Sequence, residues 1–171
     1  MRYAVLLRGV NVAGVTMKMA ELREVISHAR FADVTTVLAS GNVLLSSNDD
    51  APTVKLRVDD SLRAHYGYEP HVHVVDLDTV RAIAEAYPFE RAREGWHDYV
   101  LFAPDAAVRA DILRFELDPQ LERAAEGDGV VYWTVPKGDT LGSKLGTAIG
   151  KPAFKPHLTS RNLNTVEKLL R

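Results

Sequence analysis

The chain has 171 residues, with 21 Lys and Arg, 23 Asp and Glu, and no Cys. Its 46% hydrophobic and 26% charged residues are ordinary globular values, which exclude a disordered or low-complexity chain and suit one domain or two small lobes. A net charge of -2 is not that of a strongly basic, non-specific DNA binder, and a chain without cysteine makes no disulfide, thiol nucleophile or cysteine-ligated metal centre.

In chain order, the continuous apolar run Val5, Leu6, Leu7 predicts a central strand over residues 2–7. A loop containing Gly and Asn follows, from Gly9 to about Met17. Met19, Leu22, Val25, Ile26 and Ala29 then share one helical face, with Thr16 as the expected cap and no acidic residue to complete a capping box. Strands are predicted over 34–38 and 43–46. Between them Ala39-Ser40-Gly41-Asn42 reads as a hairpin, because glycine tolerates a positive φ. Pro52 opens a helix whose Val54, Val58, Leu62 and Tyr66 recur every four residues and which Gly67 ends. Residues 71–75 alternate as a strand. The order β-α-β-β-α-β is the split βαβ, or ferredoxin-like, unit: an α+β fold whose helices cover one face of an antiparallel sheet.

The second half predicts helices over 77–86, 106–113, 141–149 and 161–170, and strands over 99–102 and 130–135. Gly142 and Gly146 interrupt the third helix. This order allows a second α+β lobe that is a degenerate copy of the first, although periodicity alone does not establish the repeat. The expected lobes are 1–76 and 77–171, closely packed because no linker divides them, with the C-terminal helix against the first.

Charge is unevenly placed. Arg2, Arg8 and Lys18 stand in residues 1–18 without an acid, and residues 137–171 carry seven bases against Asp139 and Glu167. If the two ends meet they form an anion-attracting surface; the plainer reading is two solvated faces. Three segments hold the candidate ligand groups. In the loop Arg8-Gly9-Val10-Asn11-Val12-Ala13-Gly14, Arg8 offers a donor fork for phosphate or carboxylate, and Asn11 can donate and accept. The spacing is neither a Walker A loop nor a dinucleotide fingerprint, so no cofactor is expected. Ser40 and Asn42 acquire a role only if their turn lies beside that loop. In Thr159-Ser160-Arg161-Asn162-Leu163-Asn164-Thr165-Val166-Glu167-Lys168, the spacing places Arg161, Thr165 and Lys168 on one helical face with Thr159 or Ser160 as N-cap, next to Asn162. Lys144 is a weaker phosphate contact. Ser143 has no base in its segment, which argues against a serine nucleophile. His71 and His73 share a strand face, and a carboxylate such as Asp98 could join them as a metal ligand, but two histidines on a half-exposed strand explain that spacing, and no metal is expected.

The runs Leu6-Leu7-Arg8-Gly9-Val10-Asn11-Val12-Ala13-Gly14, Ala39-Ser40-Gly41-Asn42-Val43 and Thr159-Ser160-Arg161-Asn162-Leu163-Asn164-Thr165 resemble the domain of unknown function 1697 family along essentially the whole chain. Ala13 stands where the family usually has glycine, which weakens an amide nest at that position, and Leu163 where it often has an aromatic. The resemblance implies an α+β fold with ferredoxin-like lobes in a small bacterial protein, and no established reaction.

The expected function is binding of a phosphate-bearing small ligand, such as a nucleotide, by an Arg/Asn cluster. The alternatives are acyl or phosphoryl transfer at the same cluster with Ser40 as the suggestive hydroxyl, a purely structural cluster, and nucleic-acid binding, which the acidic centre disfavours. Whether any reaction is catalysed stays open. Without an 18-residue apolar stretch or a leader-like start, the expected compartment is the cytoplasm, with no membrane and no obligate protein partner.

Overall fold

A computed structural model of the chain describes residues 1–12 and 15–171. It divides into two compact units, Met1–Arg81 with Lys168–Arg171, and Ala82–Glu167. Among the described residues, no helix is long and apolar enough to cross a membrane.

The first unit runs β1 (Arg2–Arg8), β2 (Asn11–Val12), β3 (Val15–Thr16), α1 (Met19–His28), β4 (Ala32–Thr36), β5 (Asn42–Ser46), α2 (Ala51–Tyr66) and β6 (His71–Asp76). The sheet order is β4-β5-β1-β6, and every neighbouring pair is antiparallel. This is the split βαβ arrangement: β5 lies between β4 and β1, and β1 lies between β5 and β6. Tyr3, Val5 and Leu7 project to one face with Val43, Leu45 and Val72, and there pack with Leu22, Val25 and Ile26 of α1 and Val54, Val58 and Leu62 of α2. Each such side chain contributes roughly 1.5–3 kcal/mol on burial, so this face holds the unit together.

Local signals set the helix ends. Asp50 Oδ1 accepts from the Thr53 amide at 3.0 Å at the start of α2, and Gly67, at φ 65°, closes it with its amide donating to the Arg63 carbonyl. The start of α1 departs from the expectation. Thr16 is drawn into β3 opposite Asn11, so Lys18 occupies the N-cap and supplies no side-chain cap. The first loop therefore contains a small antiparallel ribbon that periodicity does not announce.

The second unit repeats the topology. After α3 (Leu77–Glu85), which spans the division, come β7 (Trp96–Phe102), α4 (Ala106–Leu113), β8 (Arg123–Gly127), β9 (Val130–Pro136), α5 (Lys144–Ile149), β10 (Thr159–Asn162) and α6 (Leu163–Lys168). Its sheet order is β10-β7-β9-β8, again antiparallel throughout. Mapped strand for strand, this is the order of the first sheet, so the protein is two α+β lobes in a duplicated ferredoxin-like arrangement. Leu101, Val131, Trp133 and Val135 form its core with Ile112, Leu145 and Leu158.

The expected helix over 161–170 is corrected. Residues 159–162 pair with β7, Thr159 opposite Phe102 and Arg161 opposite Val100, and the helix starts only at Leu163. The edge of β7 needs a partner for its amides and carbonyls, and this pairing overrides the helical spacing of Arg161, Thr165 and Lys168. Thr159 and Ser160 are consequently not caps; Asn162 Oδ1 accepts from the Asn164 amide at 3.0 Å. The helix expected over 141–149 likewise shortens to α5, with Ser143 Oγ accepting from the Gly146 amide.

A Cβ at Gly146 would lie 1.7 Å from the Thr140 carbonyl oxygen, while one at Gly142 would approach nothing nearer than 4.0 Å. Gly146→Ala is expected to lower stability by about 3 kcal/mol and Gly142→Ala by under about 0.5 kcal/mol. Urea unfolding midpoints of the two variants check the contrast, and equal midpoints would contradict this packing of α5.

Candidate functional site

The first two polar segments meet because the topology makes them meet. Antiparallel pairing lays the end of β1 beside the start of β5, with Leu6 opposite Asn42. The Leu7 amide donates to the Gly41 carbonyl at 2.9 Å, and Gly41 holds φ 71°. A Cβ there would fall 2.3 Å from Val10 Cγ1. Glycine at 41 is thus required twice, by the backbone angle and by the close seat of the first loop against the turn.

Arg8 is the last residue of β1 and is half-buried. Burial pushes its guanidinium below the ordinary value, but arginine starts above about 12 and stays cationic at neutral pH. Its cross-strand partner is His71, and that of Leu6 is His73. Directly opposed side chains in an antiparallel pair share a face. One face at this end of the sheet therefore carries Arg8, His71, His73 and Asn42, and it is the face opposite the Val5–Val43 core. Gly9, at φ 71°, turns the chain out of β1, and the Met17 amide returns to the Val10 carbonyl at 3.2 Å. Asn11 lies on β2; the Ala13–Gly14 step, the candidate amide nest, lies outside the described residues.

Asn42 and Ser40 have different standing. Asn42 is fully buried, and its amide donates to the Val37 carbonyl at 3.0 Å and to Ser40 Oγ at 2.9 Å. It braces the connection in which Leu38 holds φ 59°, a left-handed angle costly for leucine. Ser40 is exposed. Lys18 is exposed at the head of α1.

The remaining expected residues belong elsewhere. Lys144, Arg161, Asn162 and Thr165 fall in the second unit, and Lys168 groups with the first. Lys144 Nζ donates to the Glu116 carbonyl at 2.7 Å. Arg161 is buried, with Nη1 donating to Thr159 Oγ1 at 2.8 Å and to the Ser160 carbonyl at 2.7 Å. Arg161 lies on a strand and Thr165 and Lys168 on α6, so the shared helical face expected for the three does not exist.

Two buried carboxylates have roles inside the second unit that the sequence reading did not announce. Asp98 accepts from Tyr87 Oη at 2.8 Å, Thr134 Oγ1 at 3.1 Å and the Ala92 amide at 3.1 Å. Desolvation, then the bond to Asp98, drives the Tyr87 hydroxyl far above its ordinary value. Glu122 accepts from Trp133 Nε1 at 3.0 Å and from the Leu145 amide near the start of α5. Both are satisfied by internal donors, the condition under which a buried carboxyl group is tolerated. Only Asp98 drew notice from sequence, as a third ligand beside His71 and His73. Among the described residues, no group of three or more His, Asp or Glu could hold a metal ion.

Residues 1–132 match the family described as "Protein of unknown function (DUF1697)". A solved structure of a conserved bacterial protein from Streptococcus pneumoniae superposes with a TM-score of 0.82 at 24% identity, covering 99% of this chain and 98% of that one. That likeness is one of fold. No curated protein matches the chain.

Truncating Asn42 removes a buried amide that donates twice, whereas Ser40→Ala removes one of that amide's two acceptors and leaves its bond to the Val37 carbonyl. Asn42→Ala is expected to cost about 2 kcal/mol and Ser40→Ala about 1 kcal/mol or less in chemical unfolding. Equal losses would show that the turn is not braced by the buried amide.

Proposed function

The chain belongs to the DUF1697 family, and we propose that it binds a phosphate-bearing small ligand, such as a nucleotide, at the Arg8 end of its first sheet. One observation carries the reading: the loop rooted at Arg8 seats directly on the Ser40–Gly41–Asn42 turn, so a cation and an exposed hydroxyl come from two segments far apart in sequence. Arg8 anchors the anion, because a guanidinium fork fits two oxygens of a phosphate and a half-buried position strengthens each charge-assisted bond. Ser40 donates a further hydrogen bond. His71 and His73 border the same face, and Asn11 and Lys18 lie along the loop and at its end. Asn42 acts through the turn it braces.

The residues of the second unit support a structural reading there. Arg161 donates to its own strand, Asn162 opens α6, and Lys144 holds a carbonyl. Thr165, and Lys168 of the first unit, have no geometry that favours a ligand role. The acidic middle of the chain disfavours a long polyanion, so a small ligand is preferred to nucleic acid. The absence of cysteine suits a reducing compartment, and we assign the protein to the cytoplasm.

Calorimetric titration with nucleoside mono- and triphosphates tests the reading. Arg8→Gln is expected to weaken binding at least tenfold, the loss of one charge-assisted contact of about 1.5–3 kcal/mol, and Ser40→Ala roughly threefold. Absence of binding across the series, or wild-type affinity in Arg8→Gln, would defeat it.

A further inference from the structure

The opposite end of β1 carries a second basic feature that the Arg8 reading does not use. A cleft of about 490 Å³ opens there, a size within the range of small-molecule sites. Arg2, Arg30, Arg57, Asp49, Ser46 and Asn48 line it, and all belong to the first unit.

Arg57 is fixed in place. Its guanidinium pairs with Asp49 Oδ2, donates to the Ala29 carbonyl, and lies over the Phe31 ring at 4.2 Å. The Asp49 carboxylate also accepts from Ser47 Oγ at 3.2 Å, so the one acidic side chain in the lining is already engaged. Arg2 and Arg30 are exposed, and among the described residues neither side chain makes a hydrogen bond or ion pair; the same holds for the side chains of Ser46 and Asn48. Three guanidinium groups thus face one carboxylate. Arg30 stands at φ 59° in the turn after α1, with its amide on the Ser27 carbonyl. Glycine is at ease in that conformation, yet an unpartnered arginine stands there. Ser46 lies opposite both Arg2 and Ala32 in the sheet, and this row of small residues leaves the floor beside Arg2 open.

We propose that this cleft is a second anion site, distinct from the Arg8 loop, that takes the phosphate or pyrophosphate group of a small ligand. The two arginines without partners match the charge of a phosphate dianion. Their forked donors suit a tetrahedral oxyanion, and Ser46 and Asn48 supply neutral hydrogen bonds beside it. Arg57, held by Asp49 and Phe31, forms a fixed wall. Because the cleft is open, binding falls as salt rises.

Inorganic pyrophosphate titrated into the full chain at low ionic strength, followed by backbone amide shifts, tests the proposal. Shifts at residues 46–48 and at Arg30 are expected, and the Arg2→Ala/Arg30→Ala variant should weaken the binding that causes them at least tenfold. Both arginines are exposed and unbonded, so the variant should keep the wild-type unfolding midpoint. An Arg2→Lys/Arg30→Lys variant, which keeps the charge but not the fork, should retain part of the affinity. The site is overturned if pyrophosphate moves no amide at 46–48, if the alanine variant binds as the wild type does, or if a single-stranded oligonucleotide binds the cleft more tightly than pyrophosphate. Shifts confined to residues 7–10 and 40–41 would also overturn it while leaving the Arg8 reading standing.

Discussion

Everything in the first unit hangs on β1 being hydrogen-bonded along both edges. Its central position between β5 and β6 buries Tyr3 to Leu7 completely or nearly so. A strand in that position cannot carry a charge along its middle, because an unpaired ion in a dry interior costs several kcal/mol. The charges of β1 are therefore confined to its termini, Arg2 and Arg8, about 20 Å apart at the rise of an extended strand. The neighbouring elements then decide what each end becomes. At one end the antiparallel partner delivers the Ser40–Gly41–Asn42 turn; at the other, the chain leaving α1 and entering α2 delivers Arg30, Arg57 and Asp49. Both proposed sites are consequences of one apolar strand with cationic ends.

The second unit obeys the same constraint with a different use of polar groups. Val100, Leu101 and Phe102 of its central strand are buried as well. Asp98 enters the interior near the start of that strand and is tolerated because a tyrosine hydroxyl, a threonine hydroxyl and a backbone amide converge on it. Ala92 adopts φ 54° beside it, an angle alanine rarely takes. Glu122 ties Trp133 to the first turn of α5. Here carboxylates are interior fasteners, and they are among the best-satisfied polar groups of the unit.

The first unit was legible from sequence because its signals agree across levels. The apolar runs, Pro52, Gly67 and the Gly41 hairpin all specify the same elements. The second was legible only in part, and its edge strands were lost. β8 reads Arg-Ala-Ala-Glu-Gly and β10 reads Thr-Ser-Arg-Asn; neither has an aliphatic β-branched or aromatic residue, and neither alternates. Each exists because an inner strand, β9 or β7, offers an unpaired edge, and that determinant sits elsewhere in the chain. Losing β10 misplaced Arg161, Thr165 and Lys168 on a common helix face and left the second lobe as a degenerate copy without its edge strands. The Arg8 site fared better. Once a split βαβ order is accepted, the end of β1 must lie beside the start of β5, so the meeting of Arg8 with Ser40 and Asn42 follows from topology. The Arg2 cleft had no such signal, since Arg30 and Arg57 stand in no motif with Arg2.

The duplication itself supplies a control for the first loop. In the second unit the step from central strand to first helix takes only residues 103–105: Asp105 caps the Ala107 amide, and Arg109 Nη1 closes on the Ala103 and Pro104 carbonyls. The fold therefore asks for no more chain than that. In the first unit the corresponding step occupies residues 9–18, contains the β2–β3 ribbon, and runs from Arg8 to Lys18. Ordering each described residue of the excess costs roughly 1–2 kcal/mol of backbone entropy, and among the described residues the ribbon contributes only two facing pairs, Asn11–Thr16 and Val12–Val15. Topology does not require the excess, and the homologous connection dispenses with it. A long excursion that is rooted at a half-buried arginine and seated on the Ser40–Gly41–Asn42 turn suits the proposed ligand loop better than a mere crossover.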